Sequence, residues 1–217
     1  IPFVVLGAGL LWFGWFGFNA GSALAANGVA INAFMTTNTA AAAAMLSWMI
    51  IEKIMIGKPS VVGACSGAVV GLVAITPGAG FVSLWSSIII GLLVSPLSYF
   101  MISVVKKKFG YDDALDAFGC HGIGGMFGGI MTGIFATPAL APEKGYVGLV
   151  YGSGKLLLAN LTAVVFTVIF TALVSWIIIK VIGLIMPIRV TDRAEAIGLD
   201  DSEHEETAYP TFLGLDS

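Results

Sequence analysis

One histidine lies inside a long apolar stretch of this chain, and its side chain is the group best suited to proton chemistry. The stretch runs from Asp112 to Ala136, and the histidine is His121. An imidazole can take up or release a proton near neutral pH. Ionisable groups inside a membrane are costly and tend to mark substrate or proton pathways. We therefore expect a functional role for His121, while a packed, hydrogen-bonded core histidine stays open as the alternative.

The residues that follow this histidine are small. Glycine recurs between positions 122 and 133 in overlapping Gly-x-x-x-Gly patterns, which allow a neighbouring helix to approach closely. On an α-helix, four positions at i, i+4, i+7 and i+11 share one face: His121, Gly125, Gly128 and Thr132. The spacing predicts an imidazole on a face with little side-chain bulk, as the wall of a narrow path requires.

Three carboxylates precede the glycine-rich stretch. Asp112 and Asp113 are placed to cap the start of a helix, where carboxylates accept from free amides and complement the helix dipole. Asp116 is closer to the apolar part, and we expect it to fix neighbouring helices. The basic run Lys106–Lys108 is interpreted as a determinant of membrane topology only.

A second group of interest is aromatic. Trp15, Phe18 and Ser22 stand at i, i+3 and i+7 and so share a helix face. An aromatic wall with a nearby hydroxyl can hold a small cation through cation–π attraction and one hydrogen bond. The alternative is an aromatic belt at the membrane interface, which is common.

The composition indicates that helices in a membrane position these residues. The chain is 58% hydrophobic and 11% charged with a mean hydropathy of +0.97, whereas a soluble domain carries about 25% charged residues. Long apolar runs favour an all-α polytopic membrane protein over a barrel. We predict about six transmembrane helices: 2–23, 29–51, 61–76, 83–105, 115–136 and 156–186. Cys65 and Cys120 lie in different apolar segments and are interpreted as small buried residues.

Basic residues predict the orientation of these segments. Most of them fall on one side of a six-span arrangement: Lys53, Lys58, Lys106, Lys107, Lys108, Lys180, Arg189 and Arg193. Only Lys144 and Lys155 fall on the other. Because positively charged loops stay inside, we expect the first group in the cytoplasm. We divide the chain into a transmembrane domain at 1–188 and a polar, acidic cytoplasmic tail at 189–217. Beyond Lys106–Lys108 the sequence has no basic patch, so nothing in it suggests nucleic-acid binding.

Several motifs in order resemble the Amt/Mep/Rh ammonium transporters, and the Amt branch in particular. They are Trp15-Phe16-Gly17-Phe18-Asn19-Ala20-Gly21-Ser22, Lys58-Pro59-Ser60, Cys65-Ser66-Gly67-Ala68, Ala74-Ile75-Thr76-Pro77, Asp112-Asp113-x-Leu115-Asp116-x-Phe118-Gly119-x-His121-Gly122 with Gly124-Gly125, and Ala196-Ile197-Gly198-Leu199-Asp200 with Glu203-His204 and Ala208-Tyr209-Pro210. The resemblance covers essentially the whole chain.

The resemblance implies a fold of eleven spanning helices in two inverted halves, assembled as a homotrimer with one pore per subunit. This chain would supply the last six helices and the tail. Trp15 and Ser22 would help to bind ammonium at an outer vestibule, and Phe18 would be one of two gating phenylalanines. His121 would be one of a histidine pair that passes ammonia and relays its proton, with Asp116, Gly125 and Thr132 supporting the pore. The partner histidine would belong to the N-terminal half.

For the tail, the resemblance implies binding of a PII-type regulatory protein through Gly198, Asp200 and Tyr209, and we expect this tail to be ordered. The expected protein is a multi-pass cell-membrane transporter in the lipid bilayer, not an enzyme, with no cofactor or metal. Two alternatives remain. One is an ammonium sensor that signals through the tail. The other is a non-conducting fragment or unrelated helical bundle in which His121 is structural.

Overall fold

The computed structural model describes residues 1–140 and 146–206, and this part of the chain is built from helices. In chain order they are α1 Pro2–Gly21, α2 Gly28–Ile56, α3 Val61–Ile75, α4 Leu84–Phe109, α5 Ile123–Phe135, α6 Lys155–Ile185, α7 Asp192–Ile197 and α8 Leu199–His204. The π-helical turn Met101–Val105 interrupts α4, and the π-helical turn Phe118–Gly122 leads into α5.

Four of these helices are long and apolar enough to cross a membrane, namely α1, α2, α4 and α6. The helix α3 has 15 residues and α5 has 13 after its π-helical turn, so both are short for a membrane of about 30 Å. The six predicted segments therefore each correspond to a helix. The second differs most from its prediction, because α2 continues to Ile56 instead of ending at residue 51.

The chain divides into two compact units, Ile1–Val165 and Phe166–Ser217. The first unit has its core where α2 packs between α3 and α4. A Cβ added to Gly71 of α3 would lie 2.6 Å from the carbonyl oxygen of Ala40. A Cβ on Gly91 of α4 would press on that same oxygen. The run 40–44 is thus a close-packing surface, as its small residues predict.

Polar side chains of α1 and α2 are used for bonds between elements. The Asn19 amide donates to Thr37 Oγ1 at 2.9 Å in a buried position, which ties α1 to α2. The Asn32 amide and the Thr36 hydroxyl both donate to the carbonyl oxygen of Ala79, at 2.9 and 2.7 Å. These bonds give the polar groups of Asn19, Asn32 and Thr36 partners within the protein, as an apolar surrounding requires.

A buried carboxylate organises the turn between α2 and α3. Glu52 is 7% exposed and accepts from the backbone N–H of Ser60 at 2.6 Å and from its hydroxyl at 3.1 Å. The indole N–H of Trp48 donates to the same carboxylate at 3.3 Å. Ser60 in turn caps α3 by accepting from the N–H of Gly63 at 2.8 Å. The carboxylate therefore joins the end of α2 to the start of α3.

Candidate functional site

The start of α5 is fixed by two carboxylates with different partners. The Asp113 carboxylate accepts from the backbone N–H groups of Ala117 and Phe118, each at 2.8 Å, as expected of a helix cap. Asp116 adopts a φ of 54°, which is unusual for a residue with a side chain. Its Oδ1 atom pairs with Lys106 Nζ at 2.7 Å, so it links α5 to α4, in line with the expectation that it fixes neighbouring helices.

The interpretation of Lys106 as a topology determinant only is wrong in structural terms. Its ammonium group donates to Asp116 and also to the carbonyl oxygen of Asp113, at 2.5 Å. Three consecutive lysines look alike in a sequence. The structure distinguishes the first, because it lies on the side of α4 that faces the start of α5.

His121 lies in the π-helical turn and stacks against Trp15 of α1. The two ring centroids are 6.5 Å apart and the planes differ by 22°. The indole N–H of Trp15 donates to Thr76 Oγ1 at 2.8 Å, and that hydroxyl donates to the carbonyl oxygen of Leu72 at 2.7 Å. The Thr76 hydroxyl therefore donates within α3 and accepts from Trp15. These two bonds fix the indole ring beside the histidine.

Trp15 differs in position from the expectation. The resemblance placed it with Ser22 at an outer vestibule, apart from a histidine deeper in the membrane. In the structure it is the ring next to His121. Ser22 lies seven residues further along α1, about 10 Å by helical rise, and its hydroxyl donates to the carbonyl oxygen of Phe18 at 2.6 Å. Phe18 is 61% exposed and meets Trp15 edge-on at 5.9 Å between centroids.

A cleft of about 390 Å³ opens beside the histidine. Its walls come from α1, α3 and the start of α5, and they include Leu11, Cys65, Cys120 and His121. A second groove, of about 440 Å³, runs along α1 between Gly7 and Phe18 and includes Trp15. The imidazole is exposed within this chain. The arrangement therefore presents an imidazole and an indole face at the edge of a mostly apolar surface.

The predicted common face of the glycine-rich helix is changed at His121, whereas Gly125, Gly128 and Thr132 all lie in the α-helical part. A Cβ on Gly128 would press on the carbonyl oxygen of Ala74 in α3, and Thr132 is 7% exposed and donates to Gly128 at 2.9 Å. A Cβ on Gly125, in contrast, would meet nothing within 4 Å. The π-helical turn around His121 inserts a residue relative to regular α-helix. The i, i+4 relation from His121 to Gly125 is therefore not that of a continuous α-helix.

The tail contains the remaining predicted residues. Gly198 separates α7 from α8 with a φ of 106°, a conformation that favours glycine. Asp200 is exposed in the first turn of α8. Tyr209 lies outside the described residues. Between residues 189 and 206 the Arg189 and Glu195 side chains pair at 2.9 Å and two short helices form.

The sequence interpretation missed Thr76 and the partners of Lys106. Thr76 belongs to a motif with Pro77, but only the fold brings its hydroxyl to α1. Within residues 1–140 and 146–206, no group of three or more His, Cys, Asp and Glu side chains could hold a metal ion.

Comparison with known proteins identifies the family. The sequence model of the Ammonium Transporter Family matches residues 1–209. The chain belongs to the ammonium transporter family. It is 51% identical over 207 residues to an ammonium transporter of Bacillus subtilis, covering 95% of this chain and 51% of that protein. It is 49% identical to the ammonium transporter Amt1 of Archaeoglobus fulgidus, covering 96% of this chain and 52% of that protein.

Solved structures of the family agree with the fold. Candida albicans Mep2 matches with a TM-score of 0.77 at 32% identity, over 94% of this chain and 49% of that one. A structure titled Sensor Amt Protein matches with a TM-score of 0.83 at 29% identity, over 93% of this chain and 49% of that one. The prediction of an all-helical membrane protein of the ammonium transporter fold is confirmed. The chain spans about half the length of the curated relatives that it matches.

Proposed function

We propose that this chain forms the C-terminal half of an ammonium transporter and contributes one imidazole to its pathway. The observation that carries the proposal is the stack of Trp15 on His121 beside an apolar cleft. The family membership supports ammonium as the substrate, since the relatives carry that name. On this proposal the protein is a transporter rather than an enzyme.

The proposed mechanism follows from the cost of moving charge out of water. A bare ammonium ion loses its hydration in an apolar passage, whereas neutral ammonia loses much less. The proton therefore leaves the substrate before or within the narrow part. His121 can accept a hydrogen bond or a proton through one ring nitrogen and donate through the other. The flat, rigid face of Trp15 keeps bulk water from one side of the imidazole and limits its rotation.

Phe18 and Ser22 would form the approach to this point. Phe18 lies one turn beyond Trp15 and is exposed in this chain, as a gate that closes against a second aromatic ring would be. The Ser22 hydroxyl donates its proton to the backbone and keeps its lone pairs for an ammonium hydrogen. The groove along α1 would be covered by the N-terminal half, which would supply the partner histidine, and the open face of Gly125 would line the path.

The remaining parts of the proposal concern assembly and location. The protein would be a homotrimer in the cell membrane with its tail in the cytoplasm. A PII-type protein would bind there near Gly198, Asp200 and Tyr209. The φ of Gly198 supports a hinge between the two short tail helices, and the acidic residues around it give the tail a charged surface for contact.

A flux measurement tests this proposal. The complete protein is reconstituted in liposomes, and uptake of radiolabelled methylammonium is followed for Trp15→Leu. We expect uptake to fall at least about tenfold, because a misplacement of about 1 Å in a positioned group can cost about a hundredfold. Trp12→Leu is the matched control on the same helix and should leave uptake within about twofold of the unmodified protein. Equal effects of the two substitutions would remove the special role of Trp15.

A second candidate function is supported by the similarity to the structure titled Sensor Amt Protein. In a sensor, ammonium would bind near Ser22, and occupancy would be signalled through the tail without net flux. The two candidates differ in one measurable property. Saturable ammonium binding by calorimetry together with no uptake above that of empty liposomes favours the sensor.

A further inference from the structure

Two π-helical turns face each other where α4 ends and α5 begins. They are Met101–Val105 and Phe118–Gly122. The contact between them is close, because a Cβ added to Gly119 would press on the side chain of Ile102. Single π-helical turns inside α-helices are rare and frequently occur at functional sites. His121 lies in the second of these turns.

One ion pair spans the two turns. Lys106 is the first residue after the first turn, and its Nζ atom lies 2.7 Å from Asp116 Oδ1 and 2.5 Å from the carbonyl oxygen of Asp113. Asp116 comes two residues before the second turn, and its own carbonyl oxygen accepts from the N–H of Cys120 at 2.9 Å. Lys106 is thus connected to the backbone next to His121 through one residue.

The direction of the imidazole depends on how the second turn is wound. The body of α5 is held against α3, because Gly128 leaves no room for a side chain and a Cβ added to Gly124 would lie 3.2 Å from Val73 Cγ1. One residue more or less in a helix rotates what precedes it by about 100°. His121 lies within this turn, so if the turn became α-helical while α5 stayed in place, the imidazole would rotate through part of that angle relative to Trp15.

We propose that Lys106 is a positioning residue for His121, acting through Asp116 and the π-helical turn. The ammonium group of Lys106 holds Asp116 and the Asp113 carbonyl oxygen in the positions from which the π-helical turn starts. It thereby keeps the imidazole of His121 against Trp15. The inference rests on the proposed function of His121 in transport. It adds a distant lysine at the end of α4 as a determinant of the geometry of the pathway.

The test uses the complete protein labelled with fluorotryptophan, in which Trp15→Phe assigns the ¹⁹F resonance of position 15. This resonance reports the stacked imidazole directly, and His121→Ala gives its value without the stack. We expect Lys106→Met to move the resonance towards the His121→Ala value and to lower methylammonium uptake about tenfold. Lys106→Arg keeps the charge and the donors, and it should restore both readouts.

Lys107→Met is the matched control, because it removes the same charge from the same segment. It should leave the resonance and the uptake unchanged. If Lys106→Met yields no folded protein, Asp116→Asn replaces it, since it removes the ion pair while keeping a hydrogen-bond acceptor, and the same two changes are expected. An unchanged resonance in Lys106→Met or in Asp116→Asn overturns the proposal, and so does an equal shift in Lys107→Met.

The positioning role and the proposed function can fail separately. If His121→Ala leaves uptake unchanged, the histidine does not act in transport and the proposed function fails. The ¹⁹F resonance still decides whether Lys106 orients the ring. If His121→Ala abolishes uptake but Lys106→Met changes neither readout, only the positioning role is lost.

Discussion

Removal of the Thr76 hydroxyl tests whether Trp15 must be held in place. Thr76→Val keeps the shape of the side chain but leaves the indole N–H of Trp15 without its acceptor at 2.8 Å. An unsatisfied donor in such a half-buried position costs about 1–3 kcal/mol. Every 1.4 kcal/mol changes an equilibrium about tenfold. We therefore expect Trp15 to leave its orientation beside His121 in a large fraction of molecules, and methylammonium uptake to fall about tenfold.

A double-mutant cycle separates this effect from a general loss of stability. Thr76→Ser keeps the hydroxyl and should behave like the unmodified protein. In a Trp15→Phe background there is no indole N–H to satisfy, so Thr76→Val should cause little further loss of uptake. The reasoning is refuted if Thr76→Val lowers uptake as much in that background as it does alone, or if it has no effect in the presence of Trp15.

Two further predictions concern stability of the complete protein in detergent. Gly128→Ala should destabilise it by about 1–3 kcal/mol, because a Cβ there presses on the Ala74 carbonyl. A Cβ on Gly125 has open space in this chain. Gly125→Ala should therefore keep the melting temperature, and it should reduce uptake if this face lines the path. Glu52→Ala should also destabilise by about 1–3 kcal/mol, because the buried indole N–H of Trp48 and the part-buried backbone N–H of Ser60 lose their acceptor.

Thermal unfolding followed by fluorescence measures both effects. A melting temperature that is lowered equally by Gly125→Ala and Gly128→Ala would contradict the assignment of their two environments. For the carboxylate, Glu52→Gln is the milder control, since its amide oxygen can still accept one bond. A Glu52→Ala protein as stable as the unmodified one would show that the turn between α2 and α3 does not depend on this group.

The sequence allowed the helices and the key residue types to be predicted, because hydrophobic length and turn residues determine where spanning helices lie. The cap formed by Asp113 and the close-packing role of the run 40–44 also follow from local chemistry. These features depend on residues near in sequence or on one helix surface. They require no knowledge of which helix is the neighbour.

The stack of Trp15 on His121 could not be predicted in this way. The two residues lie on helices far apart in the chain, and their contact depends on the packing of α1 and α5 against α3. The π-helical turn at His121 cannot be predicted from periodicity either, because the 3.6-residue repeat assumes the regular hydrogen bonds of an α-helix. A regular repeat therefore misplaces His121 relative to Gly125. The difference between Gly125 and Gly128, and between Lys106 and its two neighbours, depends on which element packs against each residue.

The most direct test of the account is ammonium-evoked current together with proton flux in liposomes that hold the complete protein, with and without His121. The account predicts current in the unmodified protein and its loss in His121→Ala, with Trp12→Leu as a control for reconstitution. Current and proton flux that persist unchanged in a well-folded His121→Ala protein would contradict the claim that this imidazole relays the proton along the pathway.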